Sequence, residues 1–251
     1  MRARWLVCLL AMLWGGQSLA AEGHAYLSLI IDDLGQNPAR DSRALALPGP
    51  VTLAVMPDTP HAAPFAREAH KAGKTVIVHM PMDPAGGPFA WQPGMPDDEL
   101  RERLSAAFKA VPFAAGLNNH EGSRMTAQAG PMALLANELQ QRRLFLLDSR
   151  TSPDTQAASQ AQAIGLASVS RDVFLDDVRT PQAIAEQLNK AVALARKQGS
   201  AVVIGHPYPQ TLSVLEEALP GLKAQGVEMI SIRQMIAERG NQTMRGHGRR
   251  L

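Results

Sequence analysis

The chain has 251 residues, 45% of them hydrophobic and 19% charged, with 25 Lys plus Arg against 23 Asp plus Glu and a single cysteine. That length supports one large α/β domain with a self-sufficient core, and one cysteine excludes an intramolecular disulfide framework. The formal net charge is only +2, and its basic excess gathers at the two ends, so no basic face is offered to nucleic acid.

The N-terminal stretch "MRARWLVCLLAMLWGGQSLAAEG" has two arginines, an apolar block from Trp5 to Trp14 and small residues at Ala20 and Ala21. This is the layout of a secretory signal peptide over residues 1–21, which predicts a bacterial periplasmic or secreted protein. The block is shorter than the roughly 20 apolar residues that span a bilayer, and no later stretch approaches that length, so no transmembrane segment is expected in the mature chain. Cys8 lies in the block and would leave with it. One domain is expected over 22–240, followed by a basic flexible tail, 241–251, ending in "MRGHGRRL".

Along the mature chain, apolar and β-branched runs recur: "AYLSLII" at Ala25, "VTLAVM" at Val51, "KTVIVHM" at Lys74, "FAAGLN" at Phe113 and "LFLLD" at Leu144. "ASVSRDVFLDD" around Ala167, "AVVIGH" at Ala201 and "VEMISI" at Val227 continue the series. Helix signals fall between them. Asn37 and Pro38 form a cap and first-position pair, and "TPHAAPFAREAHKAGK" closes at Gly73. "MPDDELRERLSAAFKAV" carries Asp97, Asp98 and Glu99 in its first turn, where the helix dipole favours negative charge. "TPQAIAEQLNKAVALARKQG" opens on Thr180 and a proline and closes on Arg196, Lys197 and Gly199. Alternating strands and helices predict parallel strands with covering helices, as a barrel or an open sheet.

Such folds bind ligands at the carboxyl ends of their strands. There the sequence places Asp32 and Asp33; His79 in "HMPMDP"; Asn118, Asn119, His120 and Glu121 in "NNHEGSRMT"; Asp148 and Ser149 in "LDSRTSP"; Asp176 and Asp177; and His206 in "IGHPYP". Asp176 and Asp177 read as cap residues of the helix that follows. His24, His61, His70 and His247 read as ordinary surface or core histidines. Neutral imidazoles plus one carboxylate are a common zinc set whose fourth position stays open to water, and a second carboxylate beside it suits a general base. A serine nucleophile, Ser123 or Ser149, lacks a "GxSxG" elbow, and no phosphate-binding glycine loop is present. Trp91, in the loop "GGPFAWQPGM", reads either as part of a substrate lid or as loop packing, and Tyr208 as an aromatic sugar platform.

"IIDDLG", "HMPMDP", "NNHEGSRMT", "LDSRTS" and "IGHPYP", in this order across nearly all of the mature chain, resemble the divergent polysaccharide deacetylase family, a relative of metal-dependent deacetylases of chitin-like and peptidoglycan sugars. The resemblance implies a distorted (β/α) barrel of about seven strands with a divalent metal, zinc by expectation, at its rim. It implies Asp32 as general base, Asp33 and His79 as metal ligands, and His206 as the group that protonates the departing amine. The substrate would be an N-acetylated envelope glycan. Four positions after His79, where the relatives carry a second metal histidine, this chain has Asp83. His120 is the favoured replacement ligand because Asp83, between Met82 and Pro84, can order a turn. The relatives' arginine-proline-tyrosine and aspartate-tryptophan motifs are not seen in their usual form. Arg124 and Asp148 are loose substitutes, and Asn119, Glu121, Ser123 and Tyr208 complete the expected supporting set. The alternative expectation is an inactive carbohydrate- or metal-binding scaffold of the envelope.

Overall fold

A computed structural model describes the backbone of residues 25–248 and the side chains through residue 240. The expected signal peptide with Cys8, and also His24 and the side chain of His247, lie outside the described residues. The strands are β1 (Ala25–Leu34), β2 (Thr52–Val55), β3 (Thr75–Met82), β4 (Gly116–Glu121), β5 (Phe145–Asp148), β6 (Ser168–Ser170), β7 (Val173–Phe174), β8 (Ser200–Gly205) and β9 (Val227–Met229). The helices are α1 (Pro38–Ala46), α2 (Ala62–Lys71), α3 (Asp97–Ala110), α4 (Ala129–Gln141), α5 (Ala157–Ala163), α6 (Pro181–Gln198), α7 (Pro209–Ala218) and α8 (Ile232–Gly248). Helix α8 crosses the boundary expected at residue 240 between domain and tail. Among the described residues no helix is long and apolar enough to cross a membrane.

Hydrogen-bonded neighbours run β6-β5-β4-β3-β2-β1-β8-β7, and β9 pairs with the start of β1. Every pairing is parallel. The two ends of this order are consecutive in the chain. Arg171 donates its amide to the carbonyl of Asp148, the last residue of β5, and the next residue, Asp172, donates to the Val202 carbonyl of β8. The chain therefore crosses from one end of the curled sheet to the other within two residues, giving a distorted (β/α) barrel. With β6 and β7 counted as one interrupted stave and β9 left outside, the barrel has the expected seven strands.

Side chains alternate along each strand. Leu27, Leu29, Ile31, Leu53, Val55, Val76 and Val78 join the helices in one buried layer. The intervening Ile30, Ala54, Ile77, Leu147, Val202 and Ile204 form a second, which Ile230, Ile232 and Met235 close from one end. That second layer is the floor on which the site rests.

The expected helix signals act as capping physics requires. Asn37 Oδ1 accepts from the amides of Ala39 and Arg40 at 3.1 and 3.2 Å, and Thr180 Oγ1 accepts from the Ala183 amide at 3.3 Å. The run at Phe113 differs. Its strand begins at Gly116, because Phe113 adopts a left-handed φ of 65° and is 56% exposed. Gly35 ends β1 with a φ of +99°, and a Cβ there would lie 2.3 Å from Thr59 Oγ1. Gly35→Ala is expected to cost about 1–3 kcal/mol, read as a lower urea midpoint with an unchanged slope.

Candidate metal centre

The site is the next layer above the apolar floor. Two residues beyond Ile30, Ile77, Leu147 and Ile204 come Asp32, His79, Ser149 and His206, which period-two alternation sends into the same interior. Parallel register sets Asn118 beside His79 and His120 beside Pro81, so Asn118 and His120 share one face of β4.

Adjacent strand residues ordinarily point to opposite faces, yet both aspartates reach His79. The cause is a register shift between Ile31 and Leu34 against β2, with Asp33 in a left-handed φ of 57°. This irregularity turns both carboxylates toward one centre. Asp32 Oδ2 lies 3.6 Å from His79 Nε2, and Asp33 Oδ1 lies 3.2 Å from the same nitrogen. Asp32 is buried, 2% exposed. Burial raises its carboxyl above the usual range, against the opposing pull of the His79 and His206 imidazoles.

Asp33 Oδ1, His79 Nε2 and His120 Nδ1 form a nearly equilateral triangle. Its edges are 3.2 Å from Asp33 to His79, 3.1 Å from Asp33 to His120 and 3.1 Å from His79 to His120. Ligands of a tetrahedral Zn²⁺ at 2.0–2.1 Å are separated by about 3.3 Å, so the triangle fits one face of such a set. Asp33 Oδ1 is also buried without a hydrogen-bond partner. An aligned ion pair would not leave it so, whereas a cation over the triangle would satisfy it. Burial favours the neutral acid at Asp33, but the imidazoles of His120 and His79 hold it far below the ordinary carboxylate range. At His79, burial opposes charging, yet Asp32 and Asp33 raise the imidazole from 6.5 to about 9.

Asn118 organises this centre. Its Nδ2 donates to Asp32 Oδ1 and Oδ2 at 2.9 and 3.1 Å and to Ser149 Oγ at 3.1 Å. Its Oδ1 must therefore accept from His79 Nδ1–H, 2.8 Å away. That bond fixes the tautomer that leaves His79 Nε2 free to bind a cation. Ser149 is spent on this network.

Across the opening, His206 Nε2 stands 3.8 Å from Asp33 Oδ2. Its Nδ1 lies 2.9 Å from Asp176 Oδ1, while Asp176 Oδ2 accepts from the His206 amide and Thr211 Oγ1, both at 2.7 Å. Asp176 is 2% exposed. The reading of Asp176 as a helix cap is thus corrected: it is the buried partner of His206, brought there because β7 and β8 are paired. Gly205 makes room, since a Cβ there would meet Leu175 at 3.1 Å and Thr211 at 3.2 Å. Burial alone would depress His206; the Asp176 carboxylate, with Asp32 and Asp33 nearby, raises it.

Other expected residues are placed differently. Asp83 is engaged by Arg124, Nε to Oδ1 at 2.5 Å and Nη2 to Oδ2 at 3.1 Å, and is not in the Asp33, His79, His120 cluster. The pair orders the turn after β3 instead. Asp148 holds its own loop, accepting from the Arg150 amide at 2.8 Å and Thr155 Oγ1 at 3.1 Å. Asn119 ties that loop to β4, accepting from the Ser149 amide at 2.9 Å and donating to the Glu121 carbonyl at 2.7 Å. The side chains of Glu121, which is exposed, and Ser123, half-buried, form no hydrogen bond to the aspartates or histidines of the centre. Tyr208 is at the site, its ring 5.4 Å from that of His206 and beneath the Arg179 guanidinium at 3.9 Å. Trp91 is fully buried and exchanges backbone hydrogen bonds with Pro81 and Asp83, which overturns the lid reading and leaves loop packing.

A cavity of about 210 Å³ opens beside the triangle, lined by Asp33, Gln36, Arg40, Met56, His120, Pro207 and Tyr208. Arg40 escaped the sequence reading because it stands on a helix.

The chain is 40% identical to the uncharacterized protein YibQ of Escherichia coli (strain K12) over 200 residues, which are 78% of this chain and 63% of YibQ. It thus spans less than two thirds of that relative's length. The solved structure of the uncharacterized protein ATU2773 from Agrobacterium tumefaciens C58 superposes with a TM-score of 0.81 at 21% identity, covering 86% of this chain and 90% of that one. The catalytic domain of a peptidoglycan N-acetylglucosamine deacetylase from Eubacterium rectale ATCC 33656 gives 0.52 at 15% identity, over 83% and 89% of the two chains. A mutant of BA3943 from Bacillus anthracis, described as a CE4 family pseudoenzyme with restored enzymatic activity, gives 0.54 at 15%, over 86% and 68%. These structures share the barrel. The model of the divergent polysaccharide deacetylases matches residues 29–236, nearly the whole of the described barrel, and the chain belongs to that family.

Proposed function

We propose that the protein is a metal-dependent hydrolase that removes N-acetyl groups from an envelope glycan, in the periplasm or outside the cell. The observation that carries this reading is the Asp33, His79, His120 triangle, with a buried carboxylate on one side and a carboxylate-bound imidazole on the other. Asp33, His79 and His120 would hold a divalent cation, zinc by the chemistry of the donors, which when bound would polarise the acetyl carbonyl and acidify the attacking water. Asp32 accepts the proton of that water, a task suited to a carboxylate whose proton affinity burial has raised. His206 Nε2 donates a proton to the departing nitrogen as the amide C–N bond breaks, yielding acetate and a free amine. Asp176 holds Nδ1–H and keeps the imidazole charged for that donation, and Asn118 holds the base and His79 in register. The family, and fold neighbours that include a peptidoglycan deacetylase, support the choice of substrate class.

The test is acetate release from acetylated glycan fragments, before and after removal of metal by chelation and reloading with zinc. Activity that vanishes and returns supports the hydrolase. Metal binding without acetate release over a wide panel supports the binding scaffold instead. In an active protein, Asp176→Asn is expected to move the alkaline limb of the pH profile to lower pH, because the carboxylate that raises His206 is gone. It also loses about 1–3 kcal/mol of stability from the buried network, read by thermal melting.

A further inference from the structure

Arg40 is the arginine among the residues that line the cavity, and among the described residues it forms no ion pair. Its Nε is buried and has no hydrogen-bond partner, although the residue lines the cavity with Asp33, His120, Gln36 and Tyr208. Three other arginines of this end are occupied: Arg124 by Asp83, Arg171 by the carbonyls of Ser149 and Arg150, and Arg179 by the Tyr208 ring. Asp41, next to Arg40 in sequence, turns its Oδ2 to the Gly35 amide at 3.1 Å and forms no ion pair with it. A buried cationic donor left unmatched is costly, and a carboxylate is the group that matches a guanidinium fork. Once a divalent cation has taken up the charge of Asp33, Arg40 leaves the cavity positive.

We infer that Arg40 selects an anionic ligand: the cavity takes an N-acetylated amino sugar whose carboxylate reaches the Arg40 guanidinium while its acetamido group lies at the triangle. The inference rests on the glycan-site reading above and narrows its substrate class. Two sources supply that carboxylate, a lactyl ether on the sugar or an oxidised exocyclic hydroxymethyl carbon, as in a uronic acid. Each acid pairs with its own methyl ester, which removes the charge and adds one methyl group; the Arg40 variants separate the two effects.

The test is calorimetric titration of the zinc-loaded protein with N-acetylmuramic acid against its methyl ester, and with N-acetylgalactosaminuronic acid against its methyl ester. At least one acid is expected to bind tenfold or more tightly than its ester, and the pair that shows the gap identifies the source. Arg40→Gln is expected to erase the gap, with bound zinc and melting temperature verifying that the variant is folded. Arg40→Lys keeps the charge without the planar fork and is expected to retain a reduced gap. Equal binding of acid and ester in both pairs, or a gap that survives in Arg40→Gln, overturns the inference. A gap without acetate release sinks the hydrolase reading alone, and acetate release without a gap sinks this inference alone.

Discussion

His79→Ala is expected to emerge from purification without divalent metal, with zinc affinity reduced by more than the ~10–100-fold typical of losing an outer partner of a metal ligand. The imidazole supplies one corner of a triangle whose three edges are 3.1–3.2 Å, and alanine leaves the cation only two protein ligands. His120→Ala is expected to behave alike, whereas Asp83→Ala keeps its metal, because Arg124 already engages both oxygens of Asp83. Metal analysis of the three variants decides. Full metal in His120→Ala with loss in Asp83→Ala would show that the wrong carboxylate had been set aside. The same geometry fixes a pH dependence. In the metal-free protein His79 holds its proton up to about 9, and a cation at Nε2 must displace it. Zinc affinity is therefore expected to climb about tenfold per pH unit from neutrality toward 9 and then level off. An affinity flat over that range would contradict a protonated His79.

Asp32→Asn is expected to lower acetate release by about 10²–10⁴-fold, the usual range for a general base, with metal content unchanged. The substitution preserves shape, and an amide oxygen can still accept from Asn118 Nδ2, which bridges both carboxylate oxygens at 2.9 and 3.1 Å. What is lost is the ability to take a proton. Asp32 is not in the triangle, so a variant that lost zinc together with activity would make Asp32 a ligand and remove the division of labour between the two aspartates.

Much of this architecture was legible in the sequence for a physical reason. Parallel strands buried on both faces read as continuous apolar runs, and the interior layer above them must be polar where it meets solvent. Asp32, Asp33, His79, His120 and His206 therefore stood out wherever an apolar run gave way. Asn118 sat in the same polar stretch, but its bridging position depends on the register that sets it beside His79, which no local pattern reveals. Asp176 precedes a helix and has the local look of a cap; only the pairing of β7 with β8 puts it under His206. Trp91 could be weighed as a lid or as packing until its bridge to Met82 was known. Arg40 lies in the first turn of α1, where a charged residue draws no notice, and a buried atom without a partner is visible only in three dimensions.

The placement of β1 has a consequence for how the protein acquires its site. This strand carries both aspartates, and its partners are the nearby β2 on one side and the remote β8 and β9, joined through Tyr26 with Ser200 and Ala25 with Val227. Contacts between such distant parts of a chain must close a long loop before they repay its entropy, and so form late. A chain emerging from its N-terminus has all three corners of the triangle by His120, yet the stave that shields Asp32 and delivers His206 arrives some eighty residues afterwards. The triangle and the imidazole that faces it thus come from different parts of the chain, and the first can be complete before the second is delivered.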